Sequence, residues 1–374
     1  MPSRNTANSS RLSSARVAVQ DPSDLSSRAV SLIFTVRDEA HSLPALLRSL
    51  ERQTRPPDEV VVVDAGSRDG TLDLLRCWAQ QQAFPVRLLV EPGCSISRGR
   101  NAAIEAAQGP IIAVTDAGVT LEPDWLARLV APFFGPDPPD AVAGLFQGCA
   151  SGPFQTAMSA TVLPFPEEAK PGRFLPSSRS VAFTRAAWQG VGGYPEWASY
   201  SEDVLFDLAL IAAGYRMRMA PTALVHFEPR RTLPAFWRQY RNYALGDGQT
   251  GLWPRRHAIR YATYLVLIPG LALASTAFGP WVLLGYLAGF AAYLRRPFRR
   301  LRRLTQGWPL RQRLEAAAWV PIIRVWGDIA KMVGYPLGWP RWRRLVSLNA
   351  QYKAGKLRRA GETTDSHRKT ASKS

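Results

Sequence analysis

Within residues 30–115, four short apolar runs alternate with helical patterns, and this alternation leaves few folds open. Val30–Val36 (Val-Ser-Leu-Ile-Phe-Thr-Val) and Glu59–Asp64 (Glu-Val-Val-Val-Val-Asp) have the unbroken apolar character of strands covered on both faces, and 84–91 and 111–115 are similar runs. Between them, Leu43, Leu46, Leu47 and Leu50 fall at helical spacing, with further helices expected over about 71–81 and over 99–107. Strand, helix, strand, helix at this pace predicts an α/β fold, a doubly wound, mostly parallel sheet with helices on both faces.

Ligands of such sheets collect at the carboxyl ends of the strands, and the polar residues of this chain concentrate there. Arg37-Asp38-Glu39 follows the first strand, Asp64-Ala65-Gly66-Ser67-Arg68-Asp69-Gly70-Thr71 the second, and Asp116-Ala117-Gly118 the fourth. A single Asp-x-Gly is an ordinary turn. Three acidic clusters at equivalent topological positions predict one cleft. No Gly-x-Gly-x-x-Gly follows the first strand, which argues against a dinucleotide-dependent dehydrogenase.

These motifs, with Arg98-Gly99-Arg100-Asn101 opening a helix, Gly192-Gly193-Tyr194, and Ser201-Glu202-Asp203, resemble in order those of the inverting glycosyltransferases of family 2, with the GT-A fold, over roughly residues 30–250. The resemblance implies transfer of one sugar from a nucleotide diphosphate sugar, with Glu39 and Asp64 at the nucleotide. Arg98 and Arg100 are candidates to steady phosphate beside a helix N-terminus, while Asn101 is expected to brace the loop. Asp116 stands where the family has Asp-x-Asp, but Gly118 replaces the second carboxylate. Mg²⁺ or Mn²⁺ is therefore expected on Asp116, donor phosphates and water, with His226 in the position of the family's later metal ligand. Direct displacement at the anomeric carbon needs one base opposite the leaving group. The resemblance assigns that role to Asp203, with Glu202 binding acceptor, both at the start of a helix over 204–213. Farther on, 236–246 departs from the Gln-x-x-Arg-Trp of processive synthases and resembles nonprocessive exopolysaccharide-type enzymes, so Arg238 or Arg241 is expected at the diphosphate or the acceptor. The Gly- and Pro-rich 144–176 is the expected acceptor loop.

The formal charge of +18 is unevenly placed: residues 1–250 hold 24 Lys and Arg against 25 Asp and Glu, whereas 251–374 hold 23 against 4. The excess brackets a run of 34 residues, 261–294, without Asp, Glu, Lys, Arg or His. As one helix at ~1.5 Å per residue it would span ~51 Å, longer than a ~30 Å hydrocarbon core. Gly279-Pro280 divides it, predicting two short spans or a re-entrant hairpin. Arg255, Arg256 and Arg260 before the run, and Arg295, Arg296, Arg299, Arg300, Arg302 and Arg303 after it, put both ends and the catalytic domain on the cytoplasmic side of an inner or plasma membrane. The acceptor is then expected to be lipid-linked, although a glycan acceptor outside the membrane stays open. The basic belt is assigned to the membrane, not to nucleic acid.

The expected organisation is a polar tail over 1–28, a glycosyltransferase domain over 29–250, a membrane hairpin over 251–310, an interfacial amphipathic helix over 311–345 with Trp319, Trp326 and Trp339 near headgroups, and a basic tail over 346–374. Cys77, Cys94 and Cys149 form no Cys-x-x-Cys pair and are expected as buried thiols. Two alternatives remain at this point: a nucleotidyltransferase of similar sheet, and a degraded glycosyltransferase serving as a membrane scaffold.

Overall fold

The computed structural model describes residues 29–169 and 174–353; the expected tail over 1–28 and the last part of the basic tail lie outside the described residues. One eight-stranded mixed sheet runs from Val30 to Phe227: β1 (Val30–Val36), β2 (Glu59–Asp64), β3 (Val86–Val90), β4 (Ile111–Val114), β5 (Val119–Leu121), β6 (Ala141–Gly148), β7 (Val181–Thr184) and β8 (Met217–Phe227). Its order is β3-β2-β1-β4-β7-β6-β8-β5. The first four neighbours are parallel, with Val36 beside Asp64 and Ile33 beside Val114, so the carboxyl ends of β1, β2 and β4 lie next to one another. β7 then enters antiparallel between β4 and β6, which makes the sheet mixed.

Side chains alternate between the two faces as strand geometry requires. Leu32, Phe34, Val60 and Val62 pack on one face with α1 (Leu43–Glu51), α2 (Thr71–Ala79) and α4 (Trp125–Val130). Ile33, Val61 and Val63 pack on the other with α3 (Ile96–Ala106), α6 (Arg185–Gly190) and α7 (Glu202–Ala212). A third core joins α5 (Pro153–Val162) and α8 (Leu233–Thr250) to the C-terminal helices. The cysteines depart from expectation: Cys77 is exposed on the outer side of α2, Cys149 is exposed in the loop after β6, and Cys94, in the loop before α3, is half-buried against the second core.

The uncharged run breaks at Gly279, whose φ of 96° suits glycine. Before it α9 is one continuous helix, Pro254–Phe278, with a π-helical stretch at Thr263–Leu267. It is the one described helix long and apolar enough to cross a membrane. After the break, α10 (Leu284–Leu304) turns basic beyond Leu294. Leu265, Val266, Leu273, Phe278, Trp281, Leu284 and Leu287 are all exposed.

The expected interfacial segment is part of α11 (Leu310–Lys353), which passes the expected boundary at 345. One face of α11 is covered by protein: Ala316, Val320, Ile323 and Ala330 are buried in the third core. Trp319 meets Phe154 edge-on at 5.1 Å and Trp326 lies 5.0 Å from Trp237 between ring centroids. Trp319 thus packs on α5, whereas Trp326 touches α8 with one side and remains 39% exposed, as does Trp339 at 49%. α8 and α11 touch backbone to backbone: a Cβ on Gly334 would fall on the carbonyl oxygen of Arg241, and one on Gly248 on that of Tyr335. Gly334 and Gly338, four residues apart, form the small-residue strip that permits this approach.

Gly334→Ala is therefore expected to lower unfolding free energy in detergent by about 1–3 kcal/mol through overpacking. Gly285→Ala, where nothing lies within 4 Å of the added methyl, should not be destabilising; equal losses at both sites would mean that the contact is not what matters.

Candidate active site

The loops after β1 and β2 are stitched together side chain to backbone. Asp38, itself in left-handed backbone at φ 53°, accepts from the Arg68 N–H at 2.8 Å, and its own N–H donates to Ser67 at 2.9 Å. The Glu39 N–H donates to the Thr71 hydroxyl at 2.9 Å, and the Ala40 N–H to Asp69 at 3.0 Å. Asp64 is 2% exposed and accepts from the Ser67 N–H at 3.1 Å. Glu39, which accepts from the Ser42 hydroxyl, and Asp64 thus close the ends of adjacent parallel strands in one braced loop pair.

From the third strand end a chain of charges leads across the cleft. Arg100, on the second turn of α3, is 2% exposed. Its Nη2 donates to Asp116 Oδ1 at 2.9 Å and its Nη1 to Glu202 Oε1 at 2.8 Å. Its guanidinium lies 5.4 Å from the Tyr194 ring centroid. Burial works against this cation, but the Asp116 and Glu202 carboxylates outweigh it and hold the pKa above the ordinary arginine value. The second oxygen of Asp116 faces Arg179 Nε at 3.8 Å. Arg100 is thus occupied by two carboxylates and not turned toward phosphate, as the sequence had suggested. Arg98 is likewise engaged, donating to Glu91 at 3.0 Å with Glu105 and Glu196 each 3.8 Å away. Asn101 braces the turn before α7, accepting from the Tyr194 N–H at 2.8 Å and donating to its carbonyl at 2.9 Å.

At the head of α7, Ser201 adopts left-handed backbone at φ 62°, unusual outside glycine. α8 presses on this turn, since a Cβ on Gly246 would lie 2.7 Å from both Ser201 Oγ and Tyr200 Cβ. The turn projects Glu202 and Asp203 into the first turn of α7, where unpaired N–H groups favour negative charge. Asp203 accepts from the Val204 N–H at 2.8 Å. Burial first, and then the neighbouring Asp203 carboxylate, push the Glu202 carboxyl up, while Arg100 acts in the opposite sense. One turn on, the buried Asp207 carboxyl is pushed well up, by burial first and then by Asp203.

His226 on β8 is hydrogen-bonded through Nε2 to Glu122 at 2.5 Å. Among the described residues, no group of three His, Cys, Asp or Glu side chains converges as a metal cage. Asp116, whose Oδ1 accepts from Arg100 and whose Oδ2 faces Arg179, would be the protein ligand of a divalent ion, with substrate oxygens and water supplying the rest. Arg238 and Arg241, on α8, border an open cavity of about 430 Å³ walled by Leu233, Trp237 and Trp326. Arg238 also borders a second cavity of about 340 Å³ with Arg179, Arg230 and Tyr243. Arg179 and Arg230 had not been singled out in the sequence. Arg179 lies two residues before the short antiparallel β7, without the surrounding alternation that would mark it, and Arg230 carries no signal beyond its place in an Arg-Arg pair.

The description "Glycosyl transferase family 2" matches residues 31–187, and "Glycosyl transferase family group 2" matches 161–325. The succinoglycan biosynthesis protein ExoA of Rhizobium meliloti is 29% identical over 272 residues, 68% of this chain and 78% of that protein. The glycosyltransferase AglE of Haloferax volcanii is 25% identical over 72% of this chain and 85% of its own length. In fold, a mannosyltransferase from Pyrobaculum calidifontis, solved with GDP-Man and Mn²⁺, aligns with a TM-score of 0.56 at 23% identity, over 82% of this chain and 86% of that one. Two family matches that together run through residues 31–325, on a GT-A sheet with acids at three strand ends, identify the chain as a glycosyltransferase of family 2.

Proposed function

We propose that the protein is an inverting, nonprocessive glycosyltransferase that moves one sugar from a nucleotide diphosphate sugar to a hydroxyl of a lipid-linked acceptor at the cytoplasmic face of a membrane. The observation that carries this reading is the buried chain Asp116–Arg100–Glu202, which fixes the donor side of the cleft at a set distance from Asp203. Glu39 and Asp64 accept hydrogen bonds from the nucleotide base and ribose. Asp116 lies where the diphosphate follows, and a Mg²⁺ or Mn²⁺ bound there with substrate oxygens and water would neutralise the leaving group. Asp203 takes the proton of the acceptor hydroxyl as its oxygen bonds to the anomeric carbon. The bond to the diphosphate breaks on the opposite face and its electron pair leaves with the phosphate oxygen. One displacement inverts the centre.

Glu202 beside Asp203 would crowd two carboxylates at one helix start, where like charges share protons. Arg100 opposes this by pairing with Glu202, and Asp203 is the carboxylate that faces the acceptor. Membrane attachment rests on α9 and on the exposed apolar residues on both sides of Gly279.

Two outcomes follow. Asp203→Asn in the detergent-purified chain should lower kcat by about 10²–10⁴-fold, the usual contribution of a general base, with UDP or GDP affinity unchanged by calorimetry; normal turnover would remove Asp203 from this role. Arg100→Met should cost about 3–5 kcal/mol in unfolding free energy, because the buried Glu202 and the half-buried Asp116 lose their counter-charge. Adding Glu202→Gln should return part of that loss, whereas additive losses in the double variant would mean that the pair is not coupled.

A further inference from the structure

We propose that the two cavities meeting at Arg238 form one binding site for a phosphate-headed lipid, with the phosphate among Arg179, Arg230 and Arg238 and the hydrocarbon chain along Trp237 and Trp326. The inference rests on the reading of a lipid-linked acceptor above and specifies where that acceptor lies and which part of it is recognised.

Charge is the first argument. Among the described residues neither cavity has an Asp or Glu in its lining, and the inner one of about 340 Å³ gathers three guanidinium groups. A polar cavity with this balance is complementary to a multiply charged anion such as a phosphate mono- or diester or a diphosphate. Arg179 lies at the back of it, its guanidinium 5.0 Å from the Phe227 ring centroid and its Nε already 3.8 Å from Asp116, so Arg230 and Arg238 supply most of the charge. The outer cavity of about 430 Å³ is different in kind, walled by Leu233, Pro234, Trp237 and Trp326, with charge only at Arg238 and Arg241. A ligand filling both is anionic at one end and apolar at the other.

Level is the second argument. Asp328 on α11 accepts from Arg260 Nε at 2.8 Å and from the Tyr293 hydroxyl. Arg260 immediately precedes the uncharged run and Tyr293 stands one residue before its end, so Asp328 marks the height at which both limbs leave the apolar segment. Trp326, on the same helix two residues earlier, is a wall of the outer cavity. That cavity therefore opens at the membrane surface, where the phosphate of a bilayer lipid lies and its chain runs inward.

Reach is the third. Arg179 connects the inner cavity to Asp116, and Tyr200, which also lines it, is three residues from Asp203. A sugar hanging from a phosphate held there would face the base.

The test is calorimetry on the full chain in neutral detergent with farnesyl phosphate, farnesol, inorganic phosphate and UDP or GDP as separate probes. Farnesyl phosphate is expected to bind more tightly than either farnesol or inorganic phosphate. Arg238→Gln, and independently Arg230→Gln, should each weaken farnesyl phosphate by about tenfold, the loss of one charge-assisted hydrogen bond, without changing nucleotide affinity. Trp326→Ala should weaken the lipid but not inorganic phosphate. The proposal is overturned if farnesol binds as well as its phosphate, or if the arginine variants weaken UDP or GDP and spare the lipid, which would make the cavity a donor diphosphate site. Because binding is read without turnover, Asp203→Asn should bind farnesyl phosphate like the parent chain; lipid binding with an active Asp203→Asn would overturn the base assignment and leave this site standing.

Discussion

The catalytic half depends on a guanidinium taken out of water. Arg100 is 2% exposed, and an arginine that deep is tolerated only when its charge is matched. Asp116 and Glu202 match it and accept from its two Nη groups, one from the end of β4 and the other from the head of α7, 16 and 102 residues away in the chain, while its buried Nε has no partner among the described residues. The ion pairs hold three segments that sheet packing alone would leave free to shift. Tyr194, stacked on Phe206 at 4.4 Å and carrying Arg100 over its ring, adds an apolar backing that excludes water from the charges. Exclusion of water makes each pairing stronger, and it makes removal of any one member costly to the others.

α8 carries this order toward the C-terminal helices. On one side Gly246 lets it press on the Ser201 turn that aims Glu202 and Asp203; on the other, Gly248 meets the backbone of α11. Nearer its N-terminus the same helix presents Arg238 and Arg241 to open space. The turn before the base and the tryptophan wall are therefore fixed to a single rigid rod, and a tilt of α11 would move both. Asn349 donating to the Gln249 carbonyl at 3.1 Å and Tyr352 bonding to the Gly193 carbonyl return the far end of α11 to the catalytic domain, which closes the linkage.

The order of strands and acids was legible because it follows from local rules. Buried parallel strands are continuous apolar runs, and polar residues gather where those runs end, so β1 and β2 lie at the limits expected and the acids of three loops lie together. What depended on long-range pairing was hidden. Nothing near Arg100 announces Glu202, and a basic residue at a helix start looks the same whether it meets phosphate or a carboxylate. β7, four residues long and antiparallel, carries too little periodicity to be seen, and with it went Arg179. The amphipathic pattern of 319–339 was visible, but a pattern states only that one face is apolar; the glycines at 334 and 338 decide that this face is covered by another helix.

The same limit applies to the basic belt. Six arginines on α10 suggested attraction to an anionic leaflet, but four of them face acids: Arg296 at 3.1 Å and Arg299 at 3.7 Å from Glu168, with Arg300 on the same carboxylate and Arg303 on Glu167. Burial opposes the charge on Glu168, yet Arg300 and Arg296 hold its carboxyl down to about 2. An arginine already holding a carboxylate has less to offer a lipid headgroup, so a count of positive charges overstates the pull of the membrane. Glu167 and Glu168 lie in the short turn Pro166–Glu168, within the segment expected to face the acceptor. Arg300, 6% exposed, reaches past them to the Ala160 carbonyl on α5. The belt therefore acts first as a fastening: it ties the Pro166–Glu168 turn to α10, so a shift of α10 is felt at that turn.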